Sequence, residues 1–156
     1  MLGNNTQEEK IVAKTQELPS ITSRPFTYIH KIPILKTKLF WDKLKEGEIY
    51  ATKCKTCGKL YYPPQADCPK CLKFEVEWVK LGETAVLEAF TRVHAKPQGF
   101  NHYEPYIIAV ATTPEGVRIM GWLEDVQLED VKVGMKLNIK TRTSQDGYVI
   151  IRFGNL

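Results

Sequence analysis

Residues 54–71 read CKTCGKLYYPPQADCPKC, and this stretch decides the fold. It holds all four cysteines of the 156-residue chain, in two Cys-x-x-Cys pairs separated by ten residues. Each pair aims two sulfurs at one point, and a second pair facing the first completes a tetrahedron. Gly58 follows the first pair, where a tight turn favours a positive φ. The spacing therefore predicts one structural zinc ion per chain, held by four thiolates: Cys54, Cys57, Cys68 and Cys71.

Three other uses of the cysteines fit less well. Two disulfide bonds are typical of oxidising compartments, and no secretory leader is recognisable at the start of the sequence. A thioredoxin-like redox site would use one pair and leave the second without a role. The pattern also resembles rubredoxin, an iron protein, although the two pairs of rubredoxin lie much farther apart in sequence. Iron is therefore the minor alternative to zinc.

The composition is that of an ordinary globular protein, with 43% hydrophobic and 26% charged residues. The longest uninterrupted apolar run, Ile107–Ala111, is far too short to span a bilayer. We therefore expect no membrane partner and a cytoplasmic location. The net charge is +4, yet residues 79–156 hold nine basic and nine acidic side chains. Without an extended basic groove, nucleic acid is disfavoured as a partner.

The chain before the cysteines divides into two parts. Residues 1–33 contain three prolines and, before the first of them, too few apolar residues for a secure helix face, so we expect a partly ordered arm. Residues 34–77 should form a helix and the zinc ribbon, with the helix between Thr37 as N-cap and Gly47 just past its end. Its aromatic residues Phe40 and Trp41 are candidate partner contacts, although packing on the ribbon is the commoner use of such a face. Tyr61 is a further candidate contact, although tyrosines beside a metal site usually cover it.

Residues 78–156 show short strand-like segments separated by turn signals. The segment 124–134 between the third and fourth strands is long enough for a short helical turn. Five strands with this insertion predict a closed barrel of the OB type, and an SH3-like barrel fits less well. The predicted fold is a small two-domain protein, an N-terminal helix plus a rubredoxin-like zinc ribbon followed by an all-β five-stranded OB-fold barrel. The predicted strands are Ala85–Val93, Tyr106–Thr112, Val117–Trp122, Met135–Ile139 and Tyr148–Phe153.

The loop between the first two barrel strands, residues 95–105, is the expected binding lip of the barrel. Phe100 and Tyr103 lie near its tip and are candidate partner contacts, since a monomer gains little from exposing them. Lys96 offers a cation nearby. The alternative is that both aromatic side chains fold back over the open end of the barrel.

Taken in order, these motifs resemble a known family. The motifs are FWxxLxxG at 40–47, CxxCG at 54–58, YPP at 62–64 and CPxC at 68–71, followed by the barrel. Together they resemble the zinc-ribbon and OB-fold proteins associated with acyl-CoA metabolism, a family long described as a domain of unknown function. The resemblance covers residues 34–156. It implies a helical N-terminal hairpin, a ribbon and an OB barrel, in a protein that accompanies thiolases and related condensing enzymes.

The resemblance also implies a function. It points to a non-catalytic subunit that binds coenzyme A or acyl-CoA and scaffolds a thiolase-type enzyme, in some members together with hydroxymethylglutaryl-CoA synthase. We expect no independent catalysis, because the metal uses all four thiols and four sulfur ligands leave no open coordination position. Arg92, Lys96 and Arg118 are candidate cations for the phosphates of coenzyme A. The alternative is a nucleic-acid-binding module, for which aromatic side chains are available but a basic groove is not.

Overall fold

The computed structural model describes residues 19–24 and 28–156. Pro33–Leu156 forms one compact unit with a helix, a three-stranded ribbon and a closed barrel. Most of the arm expected at residues 1–33 lies outside the described residues, and its described parts contain neither helix nor strand. Among the described helices, none is long and apolar enough to cross a membrane.

Helix α1 spans Lys38–Lys45. Phe40 and Leu44 lie one turn apart and are its buried residues, so the apolar spacing gives the helix one inward face. Gly47 has a φ of +92°, the left-handed conformation in which helices commonly end. The predicted helix is confirmed, although the side chain of Thr37 forms no cap hydrogen bond at its N-cap position.

The ribbon is an antiparallel sheet with the strand order β2-β1-β3. Its strands are β1 (Tyr50–Cys54), β2 (Leu60–Tyr61) and β3 (Val76–Lys80). β1 runs directly into the first cysteine turn, and its last residue, Cys54, pairs with Val76. β3 crosses the position at which we placed the start of the second domain, so the ribbon sheet leads into the barrel with only a short connection.

The two Cys-x-x-Cys turns share one backbone pattern. The N–H of Gly58 donates to the carbonyl of Cys54, and the N–H of Leu72 donates to the carbonyl of Cys68, each at 2.9 Å. The donor residue has a positive φ in both turns, +70° at Gly58 and +55° at Leu72. A side chain is disfavoured in this conformation, so the second turn adopts the same geometry with more backbone strain.

The barrel contains five strands in the order β4-β5-β6-β8-β7 and is closed by pairing of β4 with β7. The β6–β8 pair is parallel and the other pairs are antiparallel. This confirms the predicted five-stranded barrel of the OB type. A 3-10 turn lies in the predicted insertion between β6 and β7. The strands are β4 Thr84–Val93, β5 Tyr106–Thr112, β6 Arg118–Leu123, β7 Lys136–Thr143 and β8 Val149–Asn155.

Closure between β6 and β8 depends on a glycine. A Cβ atom at Gly121 would lie 2.7 Å from the carbonyl oxygen of Ile151 and 3.0 Å from the ring of Phe153. Neither the backbone nor the buried ring can withdraw easily, so only a residue without a side chain lets the two strands approach.

One hydrophobic cluster joins the helix, the ribbon and the barrel. Its barrel part includes the fully buried Leu87, Ile119, Leu137 and Phe153. Phe40 from α1 and Ala51 from β1 belong to the same cluster. The helix therefore packs its buried face into the core, and the ribbon shares that core with the barrel.

Candidate functional site

The four cysteine side chains converge between the two turns. Their Sγ atoms lie within 4.8 Å of one another, with Cys54 and Cys71 3.6 Å apart and Cys57 and Cys68 3.5 Å apart. In a tetrahedron with zinc–sulfur bonds of about 2.3 Å, neighbouring sulfurs are about 3.8 Å apart. The donors and their spacing therefore fit one four-coordinate zinc ion, and four sulfurs would leave no position for a substrate.

The two cysteines of each pair differ in exposure and in hydrogen bonding. Cys54 and Cys68, the first of each pair, are buried, whereas Cys57 and Cys71 are half-buried. The backbone N–H of Cys57 donates to the Sγ of Cys54 at 3.5 Å. The hydroxyl of Tyr61 lies 3.2 Å from the Sγ of Cys68. Each buried sulfur therefore has a protein donor in reach.

These hydrogen bonds favour the thiolate form of the buried cysteines. The contact with Tyr61 lowers the pKa of Cys68 to about 6, and the same contact raises the pKa of Tyr61 to about 12. The backbone N–H of Cys57 lowers the pKa of Cys54. Burial instead raises the pKa of Cys71 to about 12. Because a metal ion binds the thiolate form, metal binding would hold all four cysteines deprotonated.

Of the three candidate contacts in the helix and ribbon, the structure leaves one at the surface. Phe40 is only 5% exposed and packs in the core, which argues against it as a partner contact and makes it a packing residue. Tyr61 is half-buried and its hydroxyl is directed at Cys68. Trp41 is 44% exposed and remains available.

The loop at residues 95–105 folds back on the barrel. The ring of Tyr103 lies 5.0 Å from that of Trp122 in an edge-to-face arrangement. Phe100 lies 5.9 Å from Tyr103 and 6.2 Å from Tyr106 between ring centroids, and it stays partly exposed. Lys96 donates a hydrogen bond to the backbone carbonyl of Tyr103. Tyr103 therefore covers the barrel, and Phe100 is the candidate contact left at the surface of the loop.

The three candidate cations for coenzyme A are not brought together. Arg92 pairs with Ile107 and Arg118 pairs with Thr112, at opposite ends of β5. Five residues of strand rise separate the two positions by about 17 Å along β5. Arg118 forms an ion pair with Glu88 at 2.6 Å between Nε and Oε2. Lys96 is hydrogen-bonded within its own loop. No single phosphate group could contact all three side chains in this arrangement.

The two arginines beside the aromatic face of the barrel are both paired with carboxylates. Tyr106 and Trp122 stack in parallel with ring centroids 4.3 Å apart. The guanidinium of Arg142 lies 5.9 Å from the Trp122 ring and donates to Glu124, with Nε 3.0 Å from Oε1. Arg152 is likewise paired with carboxylates. This pairing works against a nucleic acid on this face, because single-strand binding needs free cations beside the stacking rings.

An apolar groove, which the sequence did not indicate, lies between α1, the segment after β2, and strands β5, β6 and β8. Its volume is about 360 Å³ and no charged side chain lines it. Trp41 and Tyr62 line one side, and Met120, Trp122 and Ile151 line the other. Met120 is 66% exposed although it is a large apolar residue. Volume and lining are both typical of a ligand pocket.

Family models match most of Pro33–Leu156. Residues 41–77 match the rubredoxin-like zinc ribbon domain of ChsH2, and residues 78–142 match the C-terminal OB-fold domain of ChsH2. The ribbon match and the four converging sulfurs together support a structural zinc site.

Two similar proteins and one solved structure extend these matches. A DUF35 domain-containing scaffold protein of Methanocaldococcus jannaschii is 36% identical over 110 residues, 69% of this chain and 78% of that protein. The benzoylsuccinyl-CoA thiolase subunit BbsA of Geobacter metallireducens is 30% identical over 65% of this chain and 68% of its own length.

A solved structure of an Ltp2-ChsH2(DUF35) aldolase superposes with a TM-score of 0.68, over 85% of this chain and 98% of the matched one. At 20% identity it shows a shared fold and no more. The sequence matches and the structure both give a zinc ribbon followed by an OB-fold barrel. The chain therefore belongs to the DUF35 family, whose members carry a ChsH2-type zinc ribbon and OB-fold domain.

Proposed function

We propose that this protein is a non-catalytic scaffold subunit that associates with a thiolase-type condensing enzyme and holds the acyl end of an acyl-CoA in its apolar groove. The groove is the observation that carries the proposal. It offers a concave, uncharged surface on which Trp41 and Met120 are partly exposed. Apolar surface exposed in this way is typical of a binding site.

A non-catalytic role is supported by how the reactive side chains are used. The four thiols converge on one metal position, so none is left as a nucleophile. In the described part of the chain, the four cysteines are also the one group of at least three side chains arranged to hold a metal ion. A closed four-sulfur site activates no water. The chemistry of the complex therefore belongs to the partner enzyme.

The groove suits the apolar part of a thioester better than its phosphates. Apolar walls favour an acyl chain, because burying each methylene gains about 0.8 kcal/mol. The three cations that we first considered for the phosphates are separated or already paired. We therefore assign the acyl chain to the groove and leave the phosphates in solvent or on cations of the partner.

The similar proteins support the partner class. One is named a scaffold protein and another a thiolase subunit. We propose that this chain likewise binds a thiolase-type enzyme, with the partly exposed Trp41 and Phe100 among its contacts. A bridge to hydroxymethylglutaryl-CoA synthase is the further step that the family resemblance suggests. Recovery of both enzymes with the tagged full chain from native extract, assayed by their activities, tests both associations.

Titration of the zinc-loaded full chain with octanoyl-CoA and with free coenzyme A tests the groove. We expect octanoyl-CoA to bind more tightly, since only it carries an acyl chain. Met120→Glu places a charge in the groove and should weaken octanoyl-CoA binding at least tenfold, about 1.4 kcal/mol. Phe74→Ala is the matched control, because Phe74 is an exposed apolar residue that does not line the groove. It should change affinity less than twofold.

Two results would contradict the groove as the acyl site. One is equal affinity for octanoyl-CoA and free coenzyme A, and the other is an unchanged affinity in Met120→Glu at an unchanged melting temperature. If Met120→Glu abolishes recovery of the thiolase-type enzyme but leaves octanoyl-CoA binding intact, the groove is a protein-docking surface instead.

A further inference from the structure

The hydroxyl of Tyr61 reaches across the ribbon to the opposite cysteine turn. Tyr61 ends β2 and pairs with Thr52 of β1, the strand that leads into the first turn. Its hydroxyl nevertheless lies 3.2 Å from the Sγ of Cys68, in the second turn. Cys68 is buried, with 1% of its surface exposed. Little water can therefore take the place of this hydrogen bond.

The direction of the hydrogen bond follows from the charge on the sulfur. A metal-bound cysteine is a thiolate and carries no proton, so the hydroxyl of Tyr61 is the donor. Hydrogen bonds to ionised acceptors are roughly twice as strong as neutral ones. Zn²⁺ with four thiolates carries a formal charge of −2, and a donor at one sulfur offsets part of that excess.

Cys68 has a side-chain donor in addition to the backbone of its own turn. Cys54 accepts from the backbone N–H of Cys57, and the backbone of Cys71 acts on Cys68 in the same way. The hydroxyl donor to Cys68 comes from a side chain seven residues earlier. Only this side-chain donor can be removed by a substitution without altering the backbone of a turn.

We infer that Tyr61 is a positioning residue of the metal centre, whose hydroxyl donates a hydrogen bond to the Cys68 ligand and tightens zinc binding. From the sequence we expected Tyr61 to contact a partner, and the structure directs its hydroxyl at Cys68. This role concerns the ribbon alone and is independent of the acyl-CoA groove. Outer-shell hydrogen-bond partners of metal ligands typically contribute 10- to 100-fold to metal affinity.

Tyr62 provides a matched control in the next position. Its ring packs against the hydrophobic cluster and lies 6.0 Å from that of Phe40 in an edge-to-face arrangement. Tyr61 and Tyr62 are both half-buried tyrosines of one segment, but it is the hydroxyl of Tyr61 that contacts a sulfur. Replacing either residue by Phe removes one oxygen atom and keeps the ring.

The test compares Tyr61→Phe and Tyr62→Phe in the full chain. Zinc affinity is measured by competition with a chromophoric chelator, and the thiolate-to-metal charge-transfer bands are measured after saturation with Co²⁺. We expect Tyr61→Phe to lower zinc affinity 10- to 100-fold. We also expect its cobalt band to move to lower energy, because a thiolate without the hydrogen bond gives up charge more readily. Tyr62→Phe should match the unsubstituted chain in both measurements.

Three results would overturn the inference. The first is a zinc affinity of Tyr61→Phe within about twofold of the unsubstituted chain. The second is an equal loss in both variants, which would indicate lost packing. The third is a lower affinity with an unmoved cobalt band, because the substitution would then act without changing the charge on the sulfur.

Discussion

The ribbon and the barrel bury very different side chains. Between residues 50 and 80 the buried positions are small or polar residues, metal ligands and one proline: Ala51, Thr52, Cys54, Pro64 and Cys68. The barrel buries Leu87, Ile119, Leu137 and Phe153 almost completely. A segment as short as the ribbon cannot enclose a large apolar core, and a structural metal supplies the folding free energy instead. The two regions therefore share one cluster but depend on different forces.

Loss of one sulfur ligand should give the largest difference between the responses of the ribbon and the barrel. Cys57→Ser removes a ligand, and we expect the ribbon to unfold, because structural zinc contributes roughly 10–16 kcal/mol in such sites. The barrel should stay folded but melt at a lower temperature, since it loses its packing against the ribbon. Zinc content and the near-ultraviolet circular dichroism of single-tryptophan chains check this, with Trp78 reporting on the ribbon and Trp122 on the barrel.

Thr56→Ser is the control for this experiment, because Thr56 lies in the same turn and is exposed. It should leave both signals unchanged. Retention of zinc and of the Trp78 signal in Cys57→Ser would contradict a ribbon that depends on the metal.

The barrel should respond most to a truncation in its core. Phe153 has no exposed surface, and Phe153→Ala should lower the free energy of unfolding by about 3–5 kcal/mol. Zinc affinity should change little, because the ribbon holds all four ligands. Phe74→Ala, at a residue that is 76% exposed, should have almost no effect in the same denaturant titration. A Phe153→Ala loss below 1 kcal/mol would mean that the barrel does not depend on this core.

Substitutions in the two cysteine turns should change ribbon stability by smaller amounts and in opposite directions. Gly58→Ala introduces a side chain at a φ of +70° and should cost about 1–2 kcal/mol of ribbon stability. Leu72→Gly removes a largely exposed side chain at a φ of +55° and should stabilise the ribbon by less than about 1 kcal/mol. Thermal melts of the zinc-loaded variants measure both. Shifts of the same sign would show that backbone strain is not what distinguishes the turns.

Surface ion pairs should matter least in either region. A hydrogen bond with Lys80 lowers the pKa of Glu48 beside the ribbon, and one with Thr112, followed by Arg118, lowers the pKa of Glu88 on the barrel. A carboxyl whose pKa is lowered in the folded chain stabilises the fold at pH values above its ordinary pKa of 4.5. This stabilisation is lost as the pH falls through the pKa of the folded chain.

We therefore expect Glu48→Gln and Glu88→Gln each to melt slightly below the unsubstituted chain at pH 7. The difference should shrink as the pH falls from 4.5 through the lowered folded pKa values, because the carboxyls then become protonated in the unsubstituted chain as well. Melting curves recorded from pH 7 into the acid range measure the trend, with the exposed Glu129→Gln as the control. A deficit that does not shrink as the pH falls would have a cause other than the charge.

Local features of the sequence predicted the regular elements well. The five barrel strands, the helix before Gly47 and the two cysteine turns depend on residue spacing and on glycine conformations, both of which can be read from neighbouring residues. The groove could not be predicted in this way. Trp41, Tyr62 and Met120 come from three distant parts of the chain, and only the packing of α1 beside the barrel brings them together.

The roles of the aromatic residues could not be predicted from the sequence either. Phe40 and Trp41 are adjacent, and only the direction of the helix decides that Phe40 is buried while Trp41 is exposed. The contact of Tyr61 with Cys68 depends on how the two turns face each other. Each case is a long-range contact that no local pattern specifies.

The common cluster of ribbon and barrel has a consequence for the amount of this protein in a cell. Ala51 of the ribbon and Phe40 of the helix lie in the same cluster as the barrel residues, so loss of zinc weakens the whole of Pro33–Leu156 and not the ribbon alone. Proteases act on chains that open, and a small loss of stability can change the steady-state level several-fold. We therefore expect the abundance of this protein, and of any complex built on it, to follow the supply of zinc.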